Sequence, residues 1–490
     1  MIRAQVLYSK LTAIAAEMGE RLRRTARSPG ITEQQAFATA LFTGDLFLAV
    51  QRQEEPSHLF AMRASVRGLF DYFAFDLAEG DVLAVADPYH GGTDPQTMTL
   101  ALPIFHGGEI VLFPAVRAAL PDLAGEYSGA VHPEAFELWQ ENIRVTPVKL
   151  HLAGMPQRDL LRFLTRNSRT PTALENDLAA MIAACREAGQ AIGALLDRHG
   201  SDEIVAAVAE MQAYARRRVD SYVAALSLQG DPGVAEMTAG EHALGVRVAI
   251  ARSNDGLSLD FAGTDAAVSA PFNLTPEGAS AFAALPLLAP LLDEVPINEG
   301  TLAPFAFNFP AGSLLNPPFP ATTGLGARTV GHVVAAAVSR ALGDAGAALH
   351  GAQPVATLFP PIGTQRESVP IALDPGFAIS AQAWGPPPLA GARLLVSAEE
   401  FEVRDGFRML TRDRDETGGM RVTIENRRGA LEGNFLVVTG PDGPAGNVRL
   451  DDQPPICGAA AGLKIAPDSV IAFHYPNYAT DNTEAEVNDG

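Results

Sequence analysis

The sequence predicts an α+β protein with a β-rich N-terminal block, a central pair of long helices and a β-rich C-terminal region. Short apolar runs alternate with turn signals between residues 37 and 147, a texture that is typical of strands. Alanine and leucine recur at helical spacing over 156–226, and strand-like runs return beyond residue 230. We therefore expect four segments, at 1–155, 156–228, 229–350 and 351–490.

In the N-terminal block, the first element is expected to be a helix over residues 4–27. Leu7, Leu11 and Ile14 recur three or four positions apart and form one apolar stripe. Further along, a His-Gly-Gly-Glu run at 106–109 separates two apolar runs. Because glycine adopts the left-handed conformation that tight turns require, this run predicts a hairpin.

The central helical stretch is predicted to divide into two long antiparallel helices. Gly200 gives a stop signal, and Ser201 or Asp202 then gives an N-cap for the second helix. The segment 271–323 is rich in proline and glycine and is expected to be mixed, and a helix is expected over 329–342. Strands are expected over 245–253, 257–263, 392–404, 420–428 and 433–441.

Composition excludes several classes of protein. The 490 residues are 47% hydrophobic and 19% charged, so a large core is available and a disordered chain is excluded. The net charge of −21 repels phosphate backbones and disfavours nucleic-acid binding. The most apolar stretch, 281–292, contains two prolines and is shorter than the roughly 20 residues that span a bilayer. The two cysteines, Cys185 and Cys457, lie 272 positions apart and form no disulfide framework. Because the N-terminus also lacks the apolar run of a signal peptide, we expect a cytoplasmic protein.

The densest polar cluster is Asp87-Pro88-Tyr89-His90-Gly91-Gly92-Thr93-Asp94, directly after the apolar run 82–86. An aspartate and a histidine within three residues can bind a metal or act as acid and base. The alternative is a turn at the end of a strand, in which Asp87 accepts backbone N–H groups. The chain has no GxxxxGK[ST], HExxH or GxSxG motif, so it offers no phosphate loop, zincin helix or serine nucleophile elbow.

The DPYHGGT run and its context resemble the hydantoinase B family, the subunit family of ATP-dependent hydantoinases, 5-oxoprolinases and acetone and acetophenone carboxylases. The segments occur in the family's order over about residues 5–325. They are GERLRRTARSPGI (19–31), GDVLAVADPYHGGT (80–93), WQENIRVTPVKL (139–150), DFAGT (260–264), PINEG (296–300) and PAGSLLNPPFP (310–320).

The resemblance implies a hetero-oligomer in which labour is divided. A hydantoinase A-type partner would bind ATP and Mg²⁺ and phosphorylate the substrate's carbonyl or enolate oxygen. The B-type chain would then complete ring hydrolysis or carboxylation. A second, full-length B-type paralogue is a further possible partner, and no nucleic-acid or membrane partner is expected.

The chain departs from the family at the positions that the resemblance assigns to a divalent metal. Asp94 and Thr97 stand where a histidine and an aspartate are expected, and Ala119 and Leu120 stand where two histidines are expected. Alanine and leucine have no lone pair to donate, and threonine is a poor ligand. We therefore assign no metal ligand and no cofactor to this chain; a divalent metal is expected only if the altered site still functions.

Two interpretations follow, and both stay open at this point. In the first, the chain is a structural or modified subunit that kept the fold and lost the family's site. In the second, it is an active enzyme with rebuilt chemistry, in which a carboxylate-rich site takes a hard cation such as Mg²⁺ or Ca²⁺. A free-standing binding protein for small cyclic amides or ketones is a third class.

The catalytic candidates are Asp87, His90, Asp94 and Asp122, with His90 as the proton carrier. The substrate-binding candidates are His58, Arg117, Glu141 and Arg144.

Overall fold

The structure is a computed structural model. It describes residues 2–343 apart from 33, 130–131, 229 and 292–293. Further along, it describes residues 355–359, 371–373, 399, 402–403, 406–414, 416, 420–439, 446–456 and 458–475. In these parts the predicted α+β class is confirmed.

An eight-stranded antiparallel sheet forms the N-terminal part of the fold. Its helices are α1 (Ile2–Thr25), α2 (Pro29–Thr32), α3 (Met62–Phe73) and α4 (Leu138–Glu141). Its strands are β1 (Phe37–Thr43), β2 (Leu48–Gln53), β3 (Val82–Ala86), β4 (Thr97–Ala101), β5 (Ile104–His106), β6 (Glu109–Ala119), β7 (Val145–Leu152) and β8 (Met155–Pro156). They pair in the order β2-β1-β6-β4-β3-β7-β8, with β5 also paired to β6. The first helix is close to its predicted bounds, and the predicted hairpin is confirmed by the β5–β6 turn.

Both faces of this sheet are buried, which explains why its strands are continuous apolar runs. On β3, Leu83 and Val85 pack into one hydrophobic cluster, while Val82 and Ala84 pack into a second cluster that contains α1. Helix α3 packs into the first of these clusters, within a segment that the sequence predicts to be β-rich. Its short amphipathic stretch between strands was missed because the surrounding texture is that of a sheet.

Three helices follow the sheet: α5 (Arg158–Arg166), α6 (Pro171–His199) and α7 (Ser201–Ala225). The two long ones confirm the predicted helical region, and both pack extensively against α1. The predicted N-cap at Ser201 or Asp202 is wrong. Gly200 occupies the cap position with φ 77° and no side-chain hydrogen bond caps the helix, so the left-handed glycine alone makes the break.

The next part of the chain contributes strands and three helices to the first hydrophobic cluster. The strands are β9 (Gly233–Ala239), β10 (His242–Ser253), β11 (Gly256–Asp260) and β12 (Phe305–Asn308). The helices are α8 (Pro276–Leu288), α9 (Glu299–Leu302) and α10 (Val330–Ala341). Helix α8 falls within the segment expected to be mixed. It is apolar nearly all round and buried, so it shows no amphipathic period that a sequence pattern could reveal.

Short strands make up the described C-terminal part: β13 (Val355–Phe359), β14 (Ile371–Leu373), β15 (Phe407–Arg414), β16 (Met420–Asn426), β17 (Leu431–Leu436), β18 (Val438–Thr439), β19 (Asn447–Leu450), β20 (Ala459–Ile465) and β21 (Val470–Tyr475). The three remaining sheets have the orders β12-β11-β10-β9-β18, β14-β13-β17-β20 and β15-β16-β21-β19. The strand expected over 392–404 lies almost entirely outside the described residues. Among the helices that are described, none combines the length and apolarity needed to cross a bilayer.

Candidate functional site

The loop of residues 87–94, here called the signature loop, begins directly after the last residue of β3. Side chains alternate along a strand, so Asp87 projects to the same side as Val85, towards the first hydrophobic cluster. Its Oδ1 accepts the backbone N–H of Tyr89 at 2.9 Å and caps the short 3₁₀ turn Pro88–His90. The strand-end turn considered in the sequence analysis is therefore present. Asp87 also has partners beyond that turn.

The second carboxylate oxygen of Asp87 holds an imidazole and a guanidinium. Oδ2 lies 2.7 Å from Nδ1 of His90 and accepts Nε of Arg144 at 2.6 Å. The Asp87 side chain is fully buried, whereas that of His90 is 38% exposed. The Arg144 guanidinium also lies over the Phe319 ring, 4.7 Å from its centroid. A buried carboxylate that orients a half-open imidazole is the geometry of a general acid–base pair.

Arg117 lies at the centre of a second set of contacts, on the same sheet face. Its guanidinium donates to Thr99 Oγ1 at 3.1 Å, to Ser65 Oγ at 3.4 Å and to the hydroxyl of Thr93. The side chain is 1% exposed, and its NH2 lies 4.0 Å from the carboxylate of Asp94. Burial lowers the pKa of Arg117, and the charge of Asp94 opposes that shift. The arginine is thus a fixed, interior cation.

Asp94 is engaged by its own loop. Its carboxylate accepts the hydroxyls of Thr93 and Thr97, each at about 2.8 Å, and the backbone N–H of Gln96 at 3.1 Å. Thr97, which stands at a position that the family resemblance assigns to an aspartate, therefore donates to the Asp94 carboxylate. These bonds satisfy most of the lone pairs that a cation would use.

Glu141, at the end of α4, is a fully buried carboxyl group. Its oxygens accept the backbone N–H groups of Thr323 at 3.1 Å and Gly324 at 2.8 Å. Burial raises the pKa of Glu141 to about 8, against these two bonds, and the charge of Asp94 adds to the rise. Near neutral pH this carboxyl is therefore largely protonated and able to donate a proton. Beside it, both side-chain amide atoms of Asn142 are buried without a partner in the described structure.

His58 is a neutral imidazole in the same interior. Burial, with the positive charge of Arg117, holds the pKa of His58 well below its usual range. Its Nδ1 is buried and has no hydrogen-bond partner within the described residues. His58, Arg117 and Asp94 are therefore linked electrostatically, as are Asp94 and Glu141.

Asp122 contacts a different part of the chain from the other seven catalytic and substrate-binding candidates. It accepts the Ser168 hydroxyl at 3.2 Å, the Arg169 backbone N–H at 2.5 Å and the Arg169 guanidinium at 3.2 Å. These contacts fix the chain just before α6 begins. In the described part of the protein, no hydrogen bond or ion pair joins Asp122 to the signature loop.

Two of the positions that the resemblance assigns to metal ligands carry no ligand atom. Leu120 packs into the hydrophobic cluster on the opposite side of the sheet, and Ala119 carries no donor atom. Among the described residues, no group of three or more histidine, cysteine, aspartate or glutamate side chains is arranged to hold a metal ion. We accordingly derive no chemical step through a metal.

Sequence reasoning missed Glu277, which lies in the first turn of α8. Burial raises its pKa, and its charge interacts with that of Arg117. The Thr275-Pro276 pair is a helix-start signal, with Thr275 as the N-cap and proline at the first helical position. That signal could have predicted the helix, but nothing local indicates that its first turn faces β6.

Comparison with known proteins places this arrangement in a family. The family described as Hydantoinase B/oxoprolinase matches residues 1–367. The beta subunit of caprolactamase from Pseudomonas jessenii is 29% identical over 218 residues, covering 44% of this chain and 38% of that protein.

Two solved structures share the fold. The crystal structure of the ATP-dependent caprolactamase from Pseudomonas jessenii has a TM-score of 0.83 at 20% identity and covers 97% of this chain and 90% of that one. Nucleotide-free acetone carboxylase has a TM-score of 0.79 at 13% identity and covers 97% and 75%. The chain spans 58% or less of the length of the first curated relatives it matches. The match over three quarters of the sequence confirms the predicted resemblance: the chain belongs to the hydantoinase B/oxoprolinase family.

Proposed function

We propose that this chain is a B-type subunit of an ATP-dependent complex of the hydantoinase, 5-oxoprolinase or ketone carboxylase kind, and that it serves as a structural or modified subunit without the family's metal. The observation that carries the proposal is that the carboxylates at the site already accept hydrogen bonds from other groups of the chain. Asp94 is bonded within its own loop, and Asp87 is shared among three donors. Asp122 is held by Ser168 and Arg169, away from the site. A site whose carboxylates are so engaged has little capacity left for a cation.

The proposed assembly is a hetero-oligomer in the cytoplasm. An A-type subunit supplies ATP and Mg²⁺ binding, since this sequence has no phosphate-loop motif. A complete B-type paralogue is a second proposed partner. The shared fold with subunits of caprolactamase and acetone carboxylase supports this assignment, as does the family match.

The second candidate is an active subunit that hydrolyses a phosphorylated hydantoin, oxoproline or lactam, or carboxylates an activated ketone. The geometry of Asp87 and His90 favours it. His90 would take a proton from the water that attacks the activated carbonyl carbon, and would return a proton to the ring nitrogen as the C–N bond breaks. The acyl phosphate that remains would be hydrolysed by a second water to the carboxylate and inorganic phosphate. Arg144, which is 25% exposed, is the arginine that an anionic substrate can reach. Arg117 is fully enclosed, so it would not touch the substrate but would hold Thr93 and Asp94 of the signature loop in position.

The test is ATP-coupled turnover and metal content of the chain co-expressed with an A-type partner and a complete B-type paralogue. The informative variant is His90→Gln, because the His90 side chain is 38% exposed and glutamine keeps a polar side chain at that position. His106→Gln is the matched control, because His106 is a partly exposed histidine on β5 outside the signature loop. A metal-free chain and unchanged turnover in both variants are the expected results. Loss of turnover only in His90→Gln would replace the structural role with the catalytic one, and failure to form any complex with an A-type partner would refute both.

A further inference from the structure

A groove of about 720 Å³ lies between α5 and α6, lined on one side by the end of β7. It is formed by residues that none of the site chemistry uses. Four of the side chains that line it are arginines, Arg158, Arg162 and Arg166 from α5 and Arg186 from α6, and two are glutamates, Glu175 and Glu187 from α6. Glu187 is paired with Arg21 of α1, so in a chain of net charge −21 the groove keeps an excess of positive charge.

The arginines of α5 form a strip along one helix face. Arg158, Arg162 and Arg166 are each four positions apart, so their side chains follow one another over about 12 Å. Arg162 pairs with Asp159 at 3.0 Å, in a fully solvated ion pair. Arg158 and Arg166 have no ion pair within the described residues, and Arg186 contacts the imidazole of His151 at 2.9 Å. The strip therefore presents two guanidinium groups that no carboxylate of the described chain neutralises.

The surroundings of the groove are apolar, which favours a protein over a small anion. Leu161, Leu178 and Ile182 line it beneath the arginines. Of the apolar lining, Leu161 is partly buried and Ala179 is exposed, so part of this surface remains accessible. Accessible apolar side chains within a charged groove are characteristic of protein–protein contact surfaces.

We propose that this groove binds an acidic amphipathic helix of a partner subunit. A helix with carboxylates four residues apart would match the spacing of Arg158, Arg162 and Arg166, while its apolar side covers the accessible lining residues Leu161 and Ala179. Charge complementarity selects the acidic helix, and the linear strip selects a helix over a compact anion. The inference deepens the proposed function, because it supplies a docking surface for a member of the complex.

The test uses the full chain and a defined probe, so that it does not depend on the ATP-dependent complex. The probe is a fluorescent helical peptide of about 18 residues with glutamate at every fourth position and leucine on the adjoining face. A second peptide carries lysine in place of each glutamate. The variant is Arg158→Glu with Arg166→Glu, and the control is Arg198→Glu with Arg217→Glu, two exposed arginines outside the groove.

We expect fluorescence anisotropy to show that the glutamate peptide binds the wild-type chain and the control alike. The groove variant should bind it about tenfold more weakly and gain affinity for the lysine peptide. Equal binding to all three proteins, or no binding, would overturn the proposal. Displacement of the peptide by equimolar pyrophosphate or ATP would also overturn it, and would identify the groove as a site for a small polyanion. Failure of the A-type complex to form leaves these outcomes unchanged, so the two proposals fail separately.

Discussion

Glu141 makes the stability of this protein depend on pH in a direction opposite to that of an ordinary carboxylate. Burial raises its pKa from 4.5 to about 8, so the folded protein holds a proton that the unfolded chain releases. The stabilisation from this group is complete below about pH 4.5 and is lost as pH rises through about 8. At about 1.4 kcal/mol per pH unit, the full range is worth about 5 kcal/mol.

The perturbation is Glu141→Gln, which removes the titration and keeps the size of the side chain. Its amide oxygen can accept the N–H of Thr323 or Gly324 but not both, so we expect a constant loss of about 1–3 kcal/mol. The assay is urea unfolding of both proteins at intervals from pH 5 to pH 9, from which the difference in unfolding free energy is taken. Other titrating groups cancel in that difference. We expect it to favour the wild-type chain at pH 5 and to move progressively towards the variant by pH 8. A difference that stays flat over this range would refute a protonated Glu141.

Two further predictions test the packing around the site and the placement of the predicted residues. A Cβ on Gly324 would lie 2.6 Å from Oε1 of Glu141, so Gly324→Ala should lower the unfolding free energy by about 1–3 kcal/mol. Thermal melting should show no loss for the control Gly193→Ala, a helix position with open space. Asp122→Ala should cost about 2–3 kcal/mol, because it leaves the Arg169 backbone N–H without its partner, while ATP-coupled turnover of the refolded complex stays unchanged. If the Asp122→Ala variant kept its full stability but lost turnover, Asp122 would have a catalytic role and this reasoning would be wrong.

The sequence could predict contacts between site residues that are close along the chain, but not contacts between residues that are far apart. Asp87 and His90 are three positions apart after an apolar strand, so their contact follows from local geometry. Arg144 was expected near them only through the family resemblance, and the structure brings it to Asp87 across 57 positions. Glu141 could not be predicted as a protonated group, because burial raises its pKa and the chain that surrounds it includes Thr323 and Gly324, 182 and 183 positions away.

The same distinction holds for the fold. The amphipathic stripe of the first helix, the Gly-Gly hairpin and the alternation of short apolar runs are local signals, and through them the sequence by itself determined the α+β class. The DPYHGGT run and the segments that accompany it determined the family. Helix α8 was not predicted, because it is buried on nearly all sides and has no polar face that would show a helical period. The three-dimensional packing alone decided that Arg117 is enclosed by hydroxyl groups and that Asp122 stands apart. It also decided that three arginines of α5 face α6. Burial and charge at a point in space are sums over residues from distant parts of the chain, and no local pattern records that sum.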